Sequence, residues 1–277
     1  MAELTVREQQ RRLLPTCEKR PILDHGYLQQ IECWGSDESI IEAARMSTGK
    51  GFRDWGPYTE CTICGHWWID GDGNACLNPS HEHRRAEKGD AGLLSYLHSH
   101  KHATPFEMAG MVIEVQAPIM VFREWHRHRT QSYNEMSARY TPLPDKNYIP
   151  TVERLLLNSK TNKQAGVIKG AEELTEEKAE LFRRQLQKEY GNQELLYQWA
   201  LSSGVPKELA RVHLPVGRYS RMRACANLRN WLAFLTLRMD PAAQFEIRQF
   251  AHAVGDLIVA NHPKTWELFS LSLAKWK

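Results

Sequence analysis

The sequence predicts an α+β fold, a sheet flanked by long helices, on three observations. Met111, Ile113 and Val115 alternate with Val112, Glu114 and Gln116, the period of a strand. Glu173 to Leu201 carries Leu181, Leu186, Leu195, Leu196 and Trp199 among many charges, the pattern of one long amphipathic helix. A second amphipathic segment, Ala242 to Ala260, lies near the end of the chain. The 277 residues are 42% hydrophobic and 25% charged, ordinary globular values that exclude wholesale disorder, and they are read as one domain over 1–277.

The remaining elements follow in order. Ile40 to Lys50 reads as a helix running into a Ser/Thr/Gly turn. Residues 51–90 then change texture: they are rich in glycine and hold three cysteines, three tryptophans and three histidines with almost no aliphatic periodicity, so they are read as an insertion. Leu93, Leu94 and Leu97 resume helical spacing. Thr104-Pro105-Phe106-Glu107 has the form of a capping box, and equally of a turn. Pro118 starts a helix whose stripe is Ile119, Phe122 and Trp125. Lys160 to Gly170 is a polar loop, and Ser203-Gly204-Val205-Pro206 breaks the long helix. A short helix around Glu208 to Arg211 and a longer one from Ala224 to Arg238 complete the reading.

Charge and hydropathy exclude several function classes. Thirty-six Lys plus Arg against 33 Asp plus Glu leave a net charge of +3, too little for a nucleic-acid coat or a polybasic membrane binder. The longest apolar stretch, Gly110 to Phe122, is interrupted by Glu114, Gln116 and Pro118, and MAELTVREQQRRLLP lacks the apolar block of a secretory signal. A cytoplasmic protein is expected. In that reducing compartment the crowded cysteines of the insertion point to metal rather than disulfides. Cys61-x2-Cys64-x11-Cys76-x4-His81-x-His83 has the spacing of a small structural zinc site, with His81 or His83 as fourth ligand and His66 a weaker candidate.

Two stretches carry chemistry. Arg123 to Tyr140 packs four arginines, two histidines, two glutamates and two serines into eighteen positions, a density that is costly if buried unpaired and that suits an anionic ligand. Between Arg211 and Arg238 lie six arginines, at 211, 218, 221, 223, 229 and 238, with no lysine and no acid. Arginine without local counter-ions fits a bidentate grip on phosphate or on a carbonyl-rich base, unless carboxylates from elsewhere, such as the Glu172 to Glu180 helix, answer it.

These residues resemble the flavin-dependent thymidylate synthases. Arg127-His128-Arg129 followed by Ser137 is similar to the family's signature. HKHATPFE (100–107), SGVPKELARVHLP (203–215) and the stretch from Asn227 to Arg238 resemble three further family segments in the same order. The resemblance implies a central antiparallel sheet, a homotetramer with sites shared between subunits, and reductive methylation of dUMP to dTMP. Methylenetetrahydrofolate would supply the carbon, NADPH the reducing equivalents and FAD the hydride.

Carried over by position, Glu124, Arg127, Glu135, Ser137, Ala138, Arg139 and Arg211 would line the dUMP site. Arg238 would contact the uracil and stabilise its ionised form. Thr104, Arg127, His128, Arg129, Asn227 and Arg229 would hold FAD, and His102 would lie near folate and flavin. Ser137 has no base placed to activate it, so its hydroxyl is read as a nucleotide hydrogen bond. Cys225 is read as a buried thiol. Three positions depart from the family pattern. Glu124 stands where Gln is common and needs a cationic partner such as Arg123 or His128. Ala138 replaces a frequent Gly and must avoid positive φ. Ala233 replaces a polar residue on the flavin side, the one hint of an inactive flavoprotein scaffold. A nucleic-acid module lacks both an RNP-like strand and a finger helix.

Overall fold

The computed structural model describes residues 18–157 and 166–274; the amino-terminal segment read above and much of the polar loop at 160–170 lie outside them. In chain order the elements are β1 (Arg20–Ile22), β2 (Gly26–Trp34), α1 (Asp37–Arg45), β3 (Tyr58–Cys61), β4 (Trp67–Trp68), β5 (His83–Ala86) and α2 (Gly89–Ser99). They continue with β6 (Gly110–Pro118), α3 (Ile119–Trp125), β7 (Ser132–Glu135), α4 (Val152–Leu156), α5 (Glu176–Ser202) and α6 (Lys207–Ala210). The last are β8 (Tyr219–Asn227), α7 (Leu228–Arg238), α8 (Phe245–Asn261) and α9 (Pro263–Ala274). Short 3-10 turns occupy Met46–Thr48 and Thr104–Glu107. The chain divides into two compact units, the first comprising 1–32, 112–225 and 234–254, the second 33–111, 226–233 and 255–277.

A five-stranded sheet in the order β1-β2-β6-β8-β7 is antiparallel at both edge pairs. On β8, Ser220, Met222, Ala224 and Ala226 are buried while Arg221 and Arg223 are exposed, so a period of two sorts small residues inward and arginines outward. This corrects the helix expected from Ala224: Ala224 to Asn227 finish a strand, and α7 begins at Leu228. Asn227 Oδ1 accepts the Asn230 N–H at 2.9 Å and caps that helix.

In the first unit, Trp125 stacks on Phe234 with centroids 4.7 Å apart and meets Phe250 edge-on. Helix α5 follows its capping Thr175, whose side chain accepts the Lys178 N–H. Its burial reverses the expected face. Ala179, Tyr197 and Ala200 are buried, whereas Leu181, Leu195, Leu196 and Trp199 remain about half or more exposed. Leu181, Leu195, Leu196 and Trp199 of α5 are thus uncovered in the single chain.

The second unit packs α1, α2 and α9 together. Asp37, buried in the first turn of α1, accepts hydrogen bonds from Lys264 N, Thr265 N and the Thr265 hydroxyl, and so caps α9. Asp37→Ala is therefore expected to cost about 1–2 kcal/mol, read as a lower denaturation midpoint. Gly110 in this unit has no alternative: a Cβ there would meet Trp34 at 2.3 Å and the Ala226 carbonyl at 2.5 Å. Residues 58–86 build their own three-stranded sheet, β4-β3-β5.

Candidate active site

The Arg127-His128-Arg129 stretch forms a turn after α3. Four side chains outside it fix its path. Tyr133 donates from its hydroxyl to the His128 and Trp125 carbonyls, at 2.7 and 3.1 Å, and burial pushes its pKa up. Gln131 accepts the Trp125 indole N–H at 3.0 Å. The buried Phe122 and Trp125 anchor the helix that leads in. Neither Gln131 nor Tyr133 was among the residues expected at the site, and only their place two and four residues beyond Arg129 hinted at a positioning role.

Within this frame Arg238, Glu124 and His128 meet. Arg238 donates from Nε to His128 Nε2 at 2.9 Å, from Nη1 to Glu124 Oε2 at 2.8 Å and from Nη2 to the Glu124 carbonyl at 2.8 Å. Three of its five N–H donors are taken, leaving one on each terminal nitrogen. Because His128 Nε2 accepts, the ring is neutral with its proton on Nδ1. Burial and then the adjacent Arg238 cation hold its pKa down at about 4, against the pull of Glu124. The cationic partner that Glu124 required is Arg238, not Arg123 or His128.

A second cluster surrounds Ser137. Its Oγ accepts the Arg139 N–H at 3.3 Å, which suits a binding hydroxyl rather than an activated nucleophile. Arg139 pairs with Glu208 at 3.1 Å, and Lys207 donates to the Tyr140 carbonyl at 3.0 Å. These contacts tie the turn of Ser137, Ala138 and Arg139 to α6, whose C-cap is Arg211. Glu135 ends β7, and Ala138 avoids positive φ, as its side chain requires.

The arginine-rich stretch is largely answered by carboxylates from elsewhere. Arg218 is 1% exposed, pairs with Asp145 and Glu194, and donates to the Leu143 carbonyl. Arg223 faces Glu114 and Arg229 pairs with Glu107 at 2.5 Å. The acids come from several elements; Glu194 on α5 is among them, and the Glu172 to Glu180 segment is not. By contrast the side chains of Arg127, Arg129 and Arg211 make no ion pair or hydrogen bond among the described residues, and the first two residues are exposed. Guanidinium groups without counter-ions fit the phosphate and pyrophosphate oxygens of a nucleotide and a dinucleotide cofactor.

His102, Thr104, Asn227 and Arg229 belong to the second unit. Thr104 starts a 3-10 turn and caps nothing, so the capping-box reading fails there; Glu107 on the same turn is held by Arg229 instead. His102 is exposed, its ring stacked against Tyr96 at 5.6 Å. Cys225 is only part-buried, and burial followed by the Glu32 charge pushes its pKa up, so it is no nucleophile. In the insertion, the ligand atoms of Cys61, Cys64, Cys76 and His81 all lie within 4.8 Å of one another. His83 is not among them; its ring meets Trp68 edge-on at 5.0 Å. A cavity of about 360 Å³ lined by Met120, Tyr148, Arg154, Phe182, Tyr190 and Glu246 contains none of the expected site residues.

The signature turn, the arginine-held histidine and the guanidinium groups without a partner among the described residues make up the candidate site. Residues 30–264 match the family described as thymidylate synthase complementing protein. The chain is 36% identical over 249 residues to the flavin-dependent thymidylate synthase of Thermus thermophilus, covering 90% of this chain and 77% of that one. It is 32% identical to that of Thermosipho africanus, covering 90% and 92%. A crystal structure of the UMP/dUMP methylase PolB from Streptomyces cacaoi bound with 5-Br dUMP superposes with a TM-score of 0.68 at 28% identity, over 91% of this chain and 97% of that one. The chain belongs to the flavin-dependent thymidylate synthase family and is an enzyme of that type.

Proposed function

We propose that the enzyme methylates dUMP at C5 to give dTMP, with methylenetetrahydrofolate as carbon donor and NADPH as reductant, in the cytoplasm. One observation carries the reading: among the described residues Arg127, Arg129 and Arg211 have no carboxylate partner, whereas Arg139, Arg218, Arg223, Arg229 and Arg238 are paired. Arg127, Arg139 and Arg211 hold the nucleotide phosphate and sugar, with Glu135, Ser137 and Ala138 in the same turn. Arg238 presents its two remaining N–H groups to the uracil, where a developing negative charge makes C5 nucleophilic without a covalent enzyme adduct. Glu124 and His128 orient that guanidinium. Thr104, His128, Arg129, Asn227 and Arg229 hold FAD, which when bound supplies the hydride, and His102 lies toward the folate.

The site residues come from more than one copy of the chain in a homotetramer. The uncovered Leu181, Leu195, Leu196 and Trp199 on α5 support self-association. Light scattering is expected to return four times the protomer mass; a monomer at working concentration contradicts the shared site.

Two measurements test the reaction. The purified protein is expected to be yellow and to release FAD on denaturation; a colourless protein that cannot be reconstituted with FAD contradicts the cofactor assignment. Tritium is expected to leave [5-³H]dUMP only when FAD, NADPH and methylenetetrahydrofolate are all present. Release independent of the folate, or none with FAD bound, overturns the reaction. Because the superposed methylase is named for both UMP and dUMP, the same assay with UMP establishes whether the sugar is discriminated.

A further inference from the structure

We propose that Cys61, Cys64, Cys76 and His81 bind one zinc ion, and that this ion supplies the core that residues 51–88 lack. The aliphatic side chains of the segment do not make one: Ile63, Ile69 and Leu77 are 62%, 41% and 95% exposed. Its strands are two to four residues long, and a sheet of that size is not independently stable. Only Tyr58, Cys61 and Trp68 supply buried hydrophobic surface on these strands.

Three distances between the ligand atoms match those of a tetrahedral site, and all four atoms lie within 4.8 Å of one another. With zinc–sulfur bonds of about 2.3 Å and zinc–nitrogen bonds of about 2.0–2.1 Å, ligand atoms on a tetrahedron sit about 3.8 Å apart for two sulfurs and about 3.5 Å for sulfur and nitrogen. The Cys64 and Cys76 sulfurs are 3.8 Å apart, and His81 Nδ1 lies 3.4 Å from Cys61 Sγ and 3.5 Å from Cys76 Sγ. The backbone around the first pair is a metal knuckle. The Cys64 N–H donates to the Cys61 sulfur, the Gly65 N–H returns to the Cys61 carbonyl, and Gly65 takes φ +71° to permit it. Three thiolates with one imidazole favour zinc over the oxygen-seeking divalent ions.

The metal would close a segment whose two ends are already fastened to the helices of its unit. Asp90, fully buried, is held by the Arg45 guanidinium and accepts the Arg53 N–H at 2.7 Å, while its own N–H donates to the Asp54 carbonyl at 2.8 Å. The Trp55 indole donates to Glu38 on α1 at 3.0 Å. With those ends fixed, one tetrahedral ion orders the intervening loops, the usual coupling of metal binding to local folding.

Elemental analysis of the full-length protein after dialysis is expected to give about one zinc per chain. Replacing the metal with cobalt(II) is expected to produce thiolate-to-metal charge transfer and tetrahedral d–d bands. Cys76→Ser and His81→Asn are expected to lower zinc retention at least about 10-fold, while His83→Asn retains the full equivalent. Should those two variants fail to fold, the wild-type protein still decides: chelator under reducing conditions is expected to expose residues 51–88 to protease. A folded wild-type chain without metal, octahedral cobalt bands, a Cys64–Cys76 disulfide in its place, or unchanged protection after metal removal would each overturn the proposal.

Discussion

Arg238→Ala is expected to lower dTMP formation by at least about 10²- to 10³-fold while circular dichroism stays native. That is the loss seen when one preorganised donor to a developing anion is removed. The fold survives because the carboxylate left behind, Glu124, is 38% exposed, so water can replace the guanidinium. Arg238→Lys keeps the charge and loses the fork, and is expected to recover only part of the rate. Turnover within about threefold of wild type would remove Arg238 from the chemistry.

The same contact predicts a pH dependence. His128 ionises near 4 in the folded chain against 6.5 ordinarily, because burial and then Arg238 oppose its charge. A histidine depressed in this way favours folding fully above 6.5, and that contribution falls as pH drops toward 4, where protonation also breaks the Arg238 hydrogen bond. In Arg238→Ala the second of the two causes is gone, so the His128 pKa is expected to rise, which NMR titration of the ring reads directly.

The largest stability effect is expected at Arg218, a residue outside the proposed nucleotide site. Arg218→Met leaves Glu194, 15% exposed, without its cation at 2.7 Å, and forfeits the bond to the Leu143 carbonyl. Breaking a buried pair from one side costs about 3–5 kcal/mol, mostly the penalty of the stranded charge. Asp145 contributes little to that loss, since it is 61% exposed. Adding Glu194→Leu is expected to restore much of the stability, because both charges then leave together. A single-variant loss below about 1 kcal/mol in urea unfolding would deny the buried pair its role.

Arg218 also marks where sequence reading stops. A run of arginines with no acid nearby suggested a single basic pocket, but the sequence does not say which carboxylates fold back onto it. Glu107, Glu114, Glu124 and Glu194 do so from four other segments. The strand β8 was hidden for a related reason: its buried face is Ser220, Met222, Ala224 and Ala226, too small to register as an apolar alternation. Helix α5 was legible in extent, because Thr175 and Gly204 punctuate it, but not in orientation. Its largest apolar side chains face outward, and periodicity cannot distinguish a core from a subunit contact. The signature turn and the cysteine knuckle were legible because their chemistry is local, set by residues within about a dozen positions. The choice of His81 over His83 was not, since it depends on how β5 leaves β3: His83 pairs with Cys61 across the strands and turns its ring to Trp68.

The shared nucleotide site is tested most directly by a crystal structure of the FAD-loaded protein with dUMP. The phosphate is expected within hydrogen-bonding distance of Arg127, Arg139 and Arg211, and the uracil carbonyls on the two remaining N–H groups of Arg238, with more than one protomer contributing. A nucleotide bound elsewhere, with these guanidinium groups directed into bulk water, would contradict the proposed site.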